Sequence, residues 1–76
     1  MKALTLITTE AGKLDSVAKE IRRIKDRIKD VLIVTGRADI AVFSEGSGKD
    51  IRDIIMKIGK INHVVTTETM FEIEES

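Results

Sequence analysis

The sequence predicts an α+β domain of β-α-β-β-α-β order, a four-stranded antiparallel sheet carrying both helices on one face. Three observations lead there. Two apolar stripes recur at helical spacing, four short stretches alternate or run apolar as strands do, and glycines fall between them at turn length. The 76 residues suffice for one domain and one core. A core this small leaves marginal stability, which disulfides, a metal or association usually supplement.

Lys2 to Thr8 form the first expected strand, with Leu4, Leu6 and Thr8 alternating against Ala3, Thr5 and Ile7. Gly12 marks the turn ahead of a helix. Leu14, Val17, Ala18, Ile21, Ile24 and Ile28 then recur at spacings of three and four, which predicts a helix of about four turns. Asp30 opens a second strand through Val31-Leu32-Ile33-Val34-Thr35, and so continuous an apolar run predicts little water on either face. Thr35-Gly36-Arg37-Ala38 is a turn. Asp39 to Glu45 resumes as a third strand, with Ile40 and Val42 on one face and Ala41 and Phe43 on the other, so the pair reads as a hairpin.

Gly46-Ser47-Gly48 ends that strand. Ser47 with Asp50 three residues on has the form of a capping box, and Ile51, Ile54, Ile55 and Ile58 supply the stripe of a second helix closed by Gly59. Val64 to Glu74 is the last expected strand. Val65, Thr67, Thr69, Phe71 and Ile73 share one face; Val64, Thr66, Glu68, Met70 and Glu72 share the other. This order is ferredoxin-like. The helices cover one sheet face, and the chain has no element left for the other. Val42, Val64 and Met70, or their alternating partners, are candidates for that open face, and an apolar open face marks an interface.

Composition narrows the function. With no Cys, disulfides and thiolate metal sites are excluded, and the single His63 does not make a zinc site. No cofactor is called for. No stretch reaches the roughly 20 apolar residues of a membrane span, so no membrane association and a cytoplasmic location are expected. Thirteen basic and thirteen acidic residues cancel, which speaks against direct nucleic-acid binding. The charges are segregated, however: Lys13 to Lys29 holds seven basic and three acidic residues, while Glu68 onward holds four acidic and none basic. Solvated faces explain this, as does complementarity between subunits.

Catalytic and nucleotide chemistry find little footing. Ser16, Ser44, Ser47 and Ser76 have only His63 as a prospective base, and no catalytic residue is assigned. Gly46-Ser47-Gly48-Lys49 lacks the spacing of a phosphate-cradling P-loop. An RNA-recognition module shares the element order but stacks bases on sheet aromatics, and here only Phe43 and Phe71 are aromatic.

One constellation does suit a small zwitterion. Gly36 permits a positive φ and presents backbone amides to a carboxylate. Arg37 can pair with the same carboxylate and Asp39 with an ammonium group, while Thr66, Thr67 and Thr69 offer hydroxyls. Each also has a plain role: Gly36 and Asp39 shape a turn, Arg37 is solvated, and the threonines form strand.

Val34-Thr35-Gly36-Arg37-Ala38-Asp39-Ile40 is similar to the hydrophobic-x-G-x-x-D-hydrophobic hairpin of the Lrp/AsnC family of transcription regulators, and Ile61 to Thr69 is similar to that family's V-x-x-T-x-T start of the last strand. With the junction at Ile28-Lys29-Asp30-Val31, nearly the whole chain resembles the family's effector-binding RAM domain. The resemblance implies dimers made by pairing sheets as a dimeric α+β barrel, further assembly into octamer or decamer rings, and amino-acid effectors bound at contacts between dimers. Residues 1–76 are expected to be a single RAM-like domain without the family's DNA-binding helix-turn-helix domain. Its expected function is ligand sensing and oligomerisation, with full-length Lrp/AsnC-type regulators as partners. The alternatives are a purely structural self-assembly or adaptor domain, and a small ferredoxin-like enzyme.

Overall fold

The computed structural model describes residues 1–73. Its elements are β1 (Lys2–Thr9), α1 (Leu14–Arg22), β2 (Ile28–Ile33), β3 (Ile40–Glu45), α2 (Gly48–Gly59) and β4 (Val64–Phe71). The strands lie in the order β2-β3-β1-β4 and every neighbouring pair is antiparallel. This is the ferredoxin-like α+β fold the element order predicts.

The alternation in β1 decides the two faces. Ala3, Thr5 and Ile7 are buried, while Leu4, Leu6 and Thr8 are only half-buried. Register carries that choice across the sheet, because directly paired residues share a face. Ile7 pairs with Ile40, and Thr5 pairs with Val42. Ile7, Ile40 and Val42 join Val17, Ala18 and Ile21 of α1 and Ile54 and Ile58 of α2 in the core. Val42 therefore lies under the helices, and Val64 also packs against this core. Of the candidates for the open face, Met70 remains, in register with Leu4.

The first helix is shorter than its stripe. After Arg22 the chain tightens, Arg23 N–H donating to Glu20 O at 3.2 Å and Ile24 N–H to Ile21 O at 2.9 Å, bonds that reach three residues back and end the helix. Arg27 then adopts φ 70° and reverses the chain. Ile24 and Ile28 still pack against the core, Ile24 from the turn and Ile28 as the first residue of β2. Their spacing served burial and not helix, which is why it mimicked a fourth turn.

The second strand also departs from expectation. β2 is an edge strand with a register irregularity between Ile28 and Asp30. Val31 packs against the core, but Leu32 is 42% exposed and Ile33 48%, so the described residues cover only part of the apolar run. Gly59 is the last residue of α2, and Lys60 caps the helix in the right-handed region, so no glycine-specific conformation closes it. β4 stops at Phe71 where a strand to Glu74 was expected; just past its end Glu72 N–H still donates to Lys2 O at 2.8 Å, and Glu74 lies outside the described residues.

The capping box of α2 is complete. Asp50 N–H donates to Ser47 Oγ at 3.1 Å, and Ser47 N–H donates to Asp50 Oδ2 at 3.0 Å. Arg27 Nε stands 3.6 Å from the same Oδ2. The Ser47 backbone amide, with help from its hydroxyl and the charges of Arg27 and Lys49, lowers the Asp50 carboxyl below its ordinary value. The preceding Gly46 packs closely on the box: a Cβ there would stand 3.0 Å from the Asp50 side chain, which would have to shift to admit it.

Candidate functional site: an open sheet face and the polar corner beside it

The outer sheet face is built in rows by register. Met70, Leu4 and Phe43 form one row, which ends on Asp30. Glu68, Leu6, Ala41 and Leu32 form the next. Phe43 and Met70 are 41% and 46% exposed. At one end of this face Leu4, Phe43, Met70 and Phe71 bound an apolar hollow of about 330 Å³. Contiguous apolar side chains framed by charges have the make-up of a contact surface.

At the opposite end of the face from the hollow, past the Leu6 row, lies the turn between β2 and β3. Val34 N–H donates to Asp39 O at 3.0 Å and closes the turn, while Gly36 takes φ 111°, a conformation that favours glycine. A Cβ at Gly36 would meet nothing within 4 Å, so the demand there is conformational and not steric. Asp39 N–H donates to Ile7 O at 2.9 Å. The Asp39 carboxylate turns inward: its Oδ2 accepts from Thr9 N–H at 2.8 Å and from the Thr9 hydroxyl at 3.2 Å. Thr9 sits where the β1–β4 register shifts, and an amide at such an irregularity loses its ladder partner. Asp39 thus supplies an acceptor the ladder does not.

Arg37 is exposed, with Nη2 3.8 Å from Glu68 Oε1 on the outer face. Both side chains are well solvated, so the pair is worth no more than about 1 kcal/mol. Thr66 pairs with Thr8, one residue before the Thr9 that Asp39 holds, and both belong to the outer face. The structure thus gathers Gly36, Arg37, Asp39 and Thr66 at one end of the sheet. Thr67 and Thr69 fall on the other face. Thr67 pairs with buried Ile7, and Thr69 Oγ1 is hydrogen-bonded at 3.0 Å to Oγ1 of Thr5, which is 1% exposed.

Two participants were missed in the sequence. Glu68 was read as part of an acidic run and of a strand face, and Thr9 fell just beyond the first expected strand, which ended at Thr8. Neither has a local signal, because each meets its partner only after a helix and a strand intervene in the chain. Among the described residues no group of three or more His, Asp or Glu is placed to hold a metal ion. Nor is any described helix long and apolar enough to cross a membrane.

No protein-family model matches the sequence. No curated protein matches it either. Solved structures do. A hypothetical protein from Pyrococcus horikoshii is 32% identical over 97% of this chain and 90% of its own, with a TM-score of 0.83. FFRP-DM1 is 31% identical over 95% of this chain and 97% of its own, with a TM-score of 0.84. AsnC of E. coli shares the fold, with a TM-score of 0.83 at 18% identity; the chain spans 51% of its length. The small α+β fold with an open sheet face is thus that of a regulatory domain. The chain belongs to the FFRP group, the Lrp/AsnC family of regulators.

Proposed function

We propose that this protein is a ligand-sensing, self-associating regulatory module that binds an amino acid or similar small effector at subunit contacts. The carrying observation is the adjacency of the apolar outer rows to the Gly36–Thr66 corner. Two copies pairing Leu4, Leu6, Phe43 and Met70 against their counterparts remove this surface from water. Each corner then lies at the rim, where further dimers can close over it in a ring.

The chemistry of the corner suits a zwitterion. A ligand carboxylate takes Arg37 from its weak, exposed partner Glu68 and faces the Gly36 turn amides. Thr66 offers a hydroxyl, and Asp39 Oδ1 together with the released Glu68 offers acceptors for the ammonium group. Thr67 and Thr69 contribute by fixing β4 from its other face. In this reading the domain works in the cytoplasm, without catalysis and without contacting DNA, and joins full-length Lrp/AsnC-type regulators in mixed assemblies.

Calorimetric titration with the standard amino acids, alongside sedimentation velocity, tests the proposal. The expected result is an oligomer that releases or absorbs heat with at least one of them. An intact oligomer silent toward all of them would sink the sensing half. One observation favours a second reading, a purely structural assembly domain: the Asp39 carboxylate is already engaged by Thr9. The structural reading expects Asp39→Ala to alter assembly while the unaltered protein gives no heat with any amino acid; heat with the unaltered protein that Asp39→Ala abolishes supports sensing.

A further inference from the structure

On the helix side of the molecule a cleft of about 470 Å³ opens between α1 and the turn that follows α2, lined by Ser16, Glu20, Lys57, Lys60, Asn62 and His63. Its charge is unbalanced. Glu20 is engaged by Arg23 at 3.5 Å, and Glu10, beside the cleft, is engaged by His63 Nδ1 at 3.2 Å. Lys57 and Lys60 have no carboxylate within ion-pair distance among the described residues. Nor are their ammonium groups needed to close α2, because the amides of Lys60 and Ile61 already bond to the carbonyls of Lys57 and Ile58.

His63 is held in place with unusual firmness. It adopts φ 75°, an uncommon conformation outside glycine although His is among the residues that tolerate it. Glu10 fixes it twice: the Glu10 amide donates to His63 O at 2.9 Å, and the Glu10 carboxylate holds Nδ1. Backbone strain held this way recurs at binding sites.

We propose that this cleft binds a phosphate group. Two lysine ammoniums, the Ser16 hydroxyl and the Asn62 amide supply donors from both walls, as a tetrahedral group with several acceptor oxygens requires. A planar carboxylate is better matched by the fork of an arginine, and no arginine lines the cleft, whereas lysines bind phosphate as point charges. The site is separate from the effector corner and independent of that proposal, since it opens on the helix side and uses none of the same residues.

Amide chemical-shift titration with inorganic phosphate, at constant ionic strength set with chloride, is the test. Shifts centred on Ser16 and on residues 57–63 are expected, and they should saturate. In the Lys57→Gln/Lys60→Gln double variant the affinity should fall by at least about tenfold, a loss that two charge-assisted contacts account for. Both lysines are exposed, so the variant keeps the fold. Arg52→Gln, an exposed charge on α2 outside the cleft, should leave affinity unchanged. Shifts scattered over the surface, equal weakening by Arg52→Gln, or full affinity in the double variant would each overturn the proposal. A parallel titration with glycerol phosphate separates the sources: tighter binding than inorganic phosphate points to a phosphorylated metabolite, and equal binding to free phosphate.

Discussion

The two faces of the sheet are made from the same kinds of residue but do different work. The covered face sets Ile7, Ile40 and Val42 against two helices, and each is fully buried. The outer face sets Leu4, Leu6, Phe43 and Met70 against no other described element, and Phe43 and Met70 remain nearly half exposed. One face therefore governs whether the chain folds, and the other governs what the folded chain meets. The polar residues divide the same way: Thr69 serves the covered face through its bond to Thr5, while Arg37, Glu68 and Thr66 serve the outer one.

Variants should separate the faces in order of size. Ile7→Ala removes a fully buried side chain from the centre of the sheet. It should cost about 2–5 kcal/mol, read by urea unfolding. Phe43→Asp should do the converse, weakening association by about 2 kcal/mol or more in sedimentation equilibrium while far-UV dichroism stays intact. An equal loss of fold in Phe43→Asp would break the division between the faces.

A smaller effect sharpens the covered side. Ser47→Ala removes the hydroxyl that caps α2 and should cost about 1 kcal/mol. Its partner Asp50 adds a pH signature. Its folded-state pKa lies below the ordinary 3.8, so its contribution is complete above 3.8 and is lost as pH falls through the lowered value. The thermal-stability gap between the protein and Asp50→Asn should therefore hold at neutral pH and close below 3.8. A gap that widened on acidification would reverse the assignment. The smallest stability effect belongs to Arg37→Gln, within about 0.5 kcal/mol because its ion pair is exposed. The same variant should nonetheless abolish effector heat in calorimetry.

Local pattern was most legible where local forces decide the outcome. The Ser47–Asp50 box is a contact within four residues, and the sequence sufficed to place it. The apolar stripe of α2 likewise gave Ile51, Ile54 and Ile58 as its buried side. The end of α1 was not legible, because Ile24 and Ile28 keep a helical spacing while leaving the helix. The candidate site was half legible. The positive φ at Gly36 follows from a turn motif, whereas the division of the threonines between faces depends on how β4 registers against β1.

The sequence by itself determined the element order, the closed capping box and the existence of an uncovered sheet face. These follow from periodicity, from a motif four residues long and from counting elements, all of them properties of the chain. Only the tertiary structure decided which parity of each strand is covered, because a strand offers two equivalent faces until its partners choose between them. It also brought Asp39 to Thr9 and Arg37 to Glu68 across separations of about thirty residues. Such partners share no local signal, since strand pairing and not sequence proximity makes them neighbours.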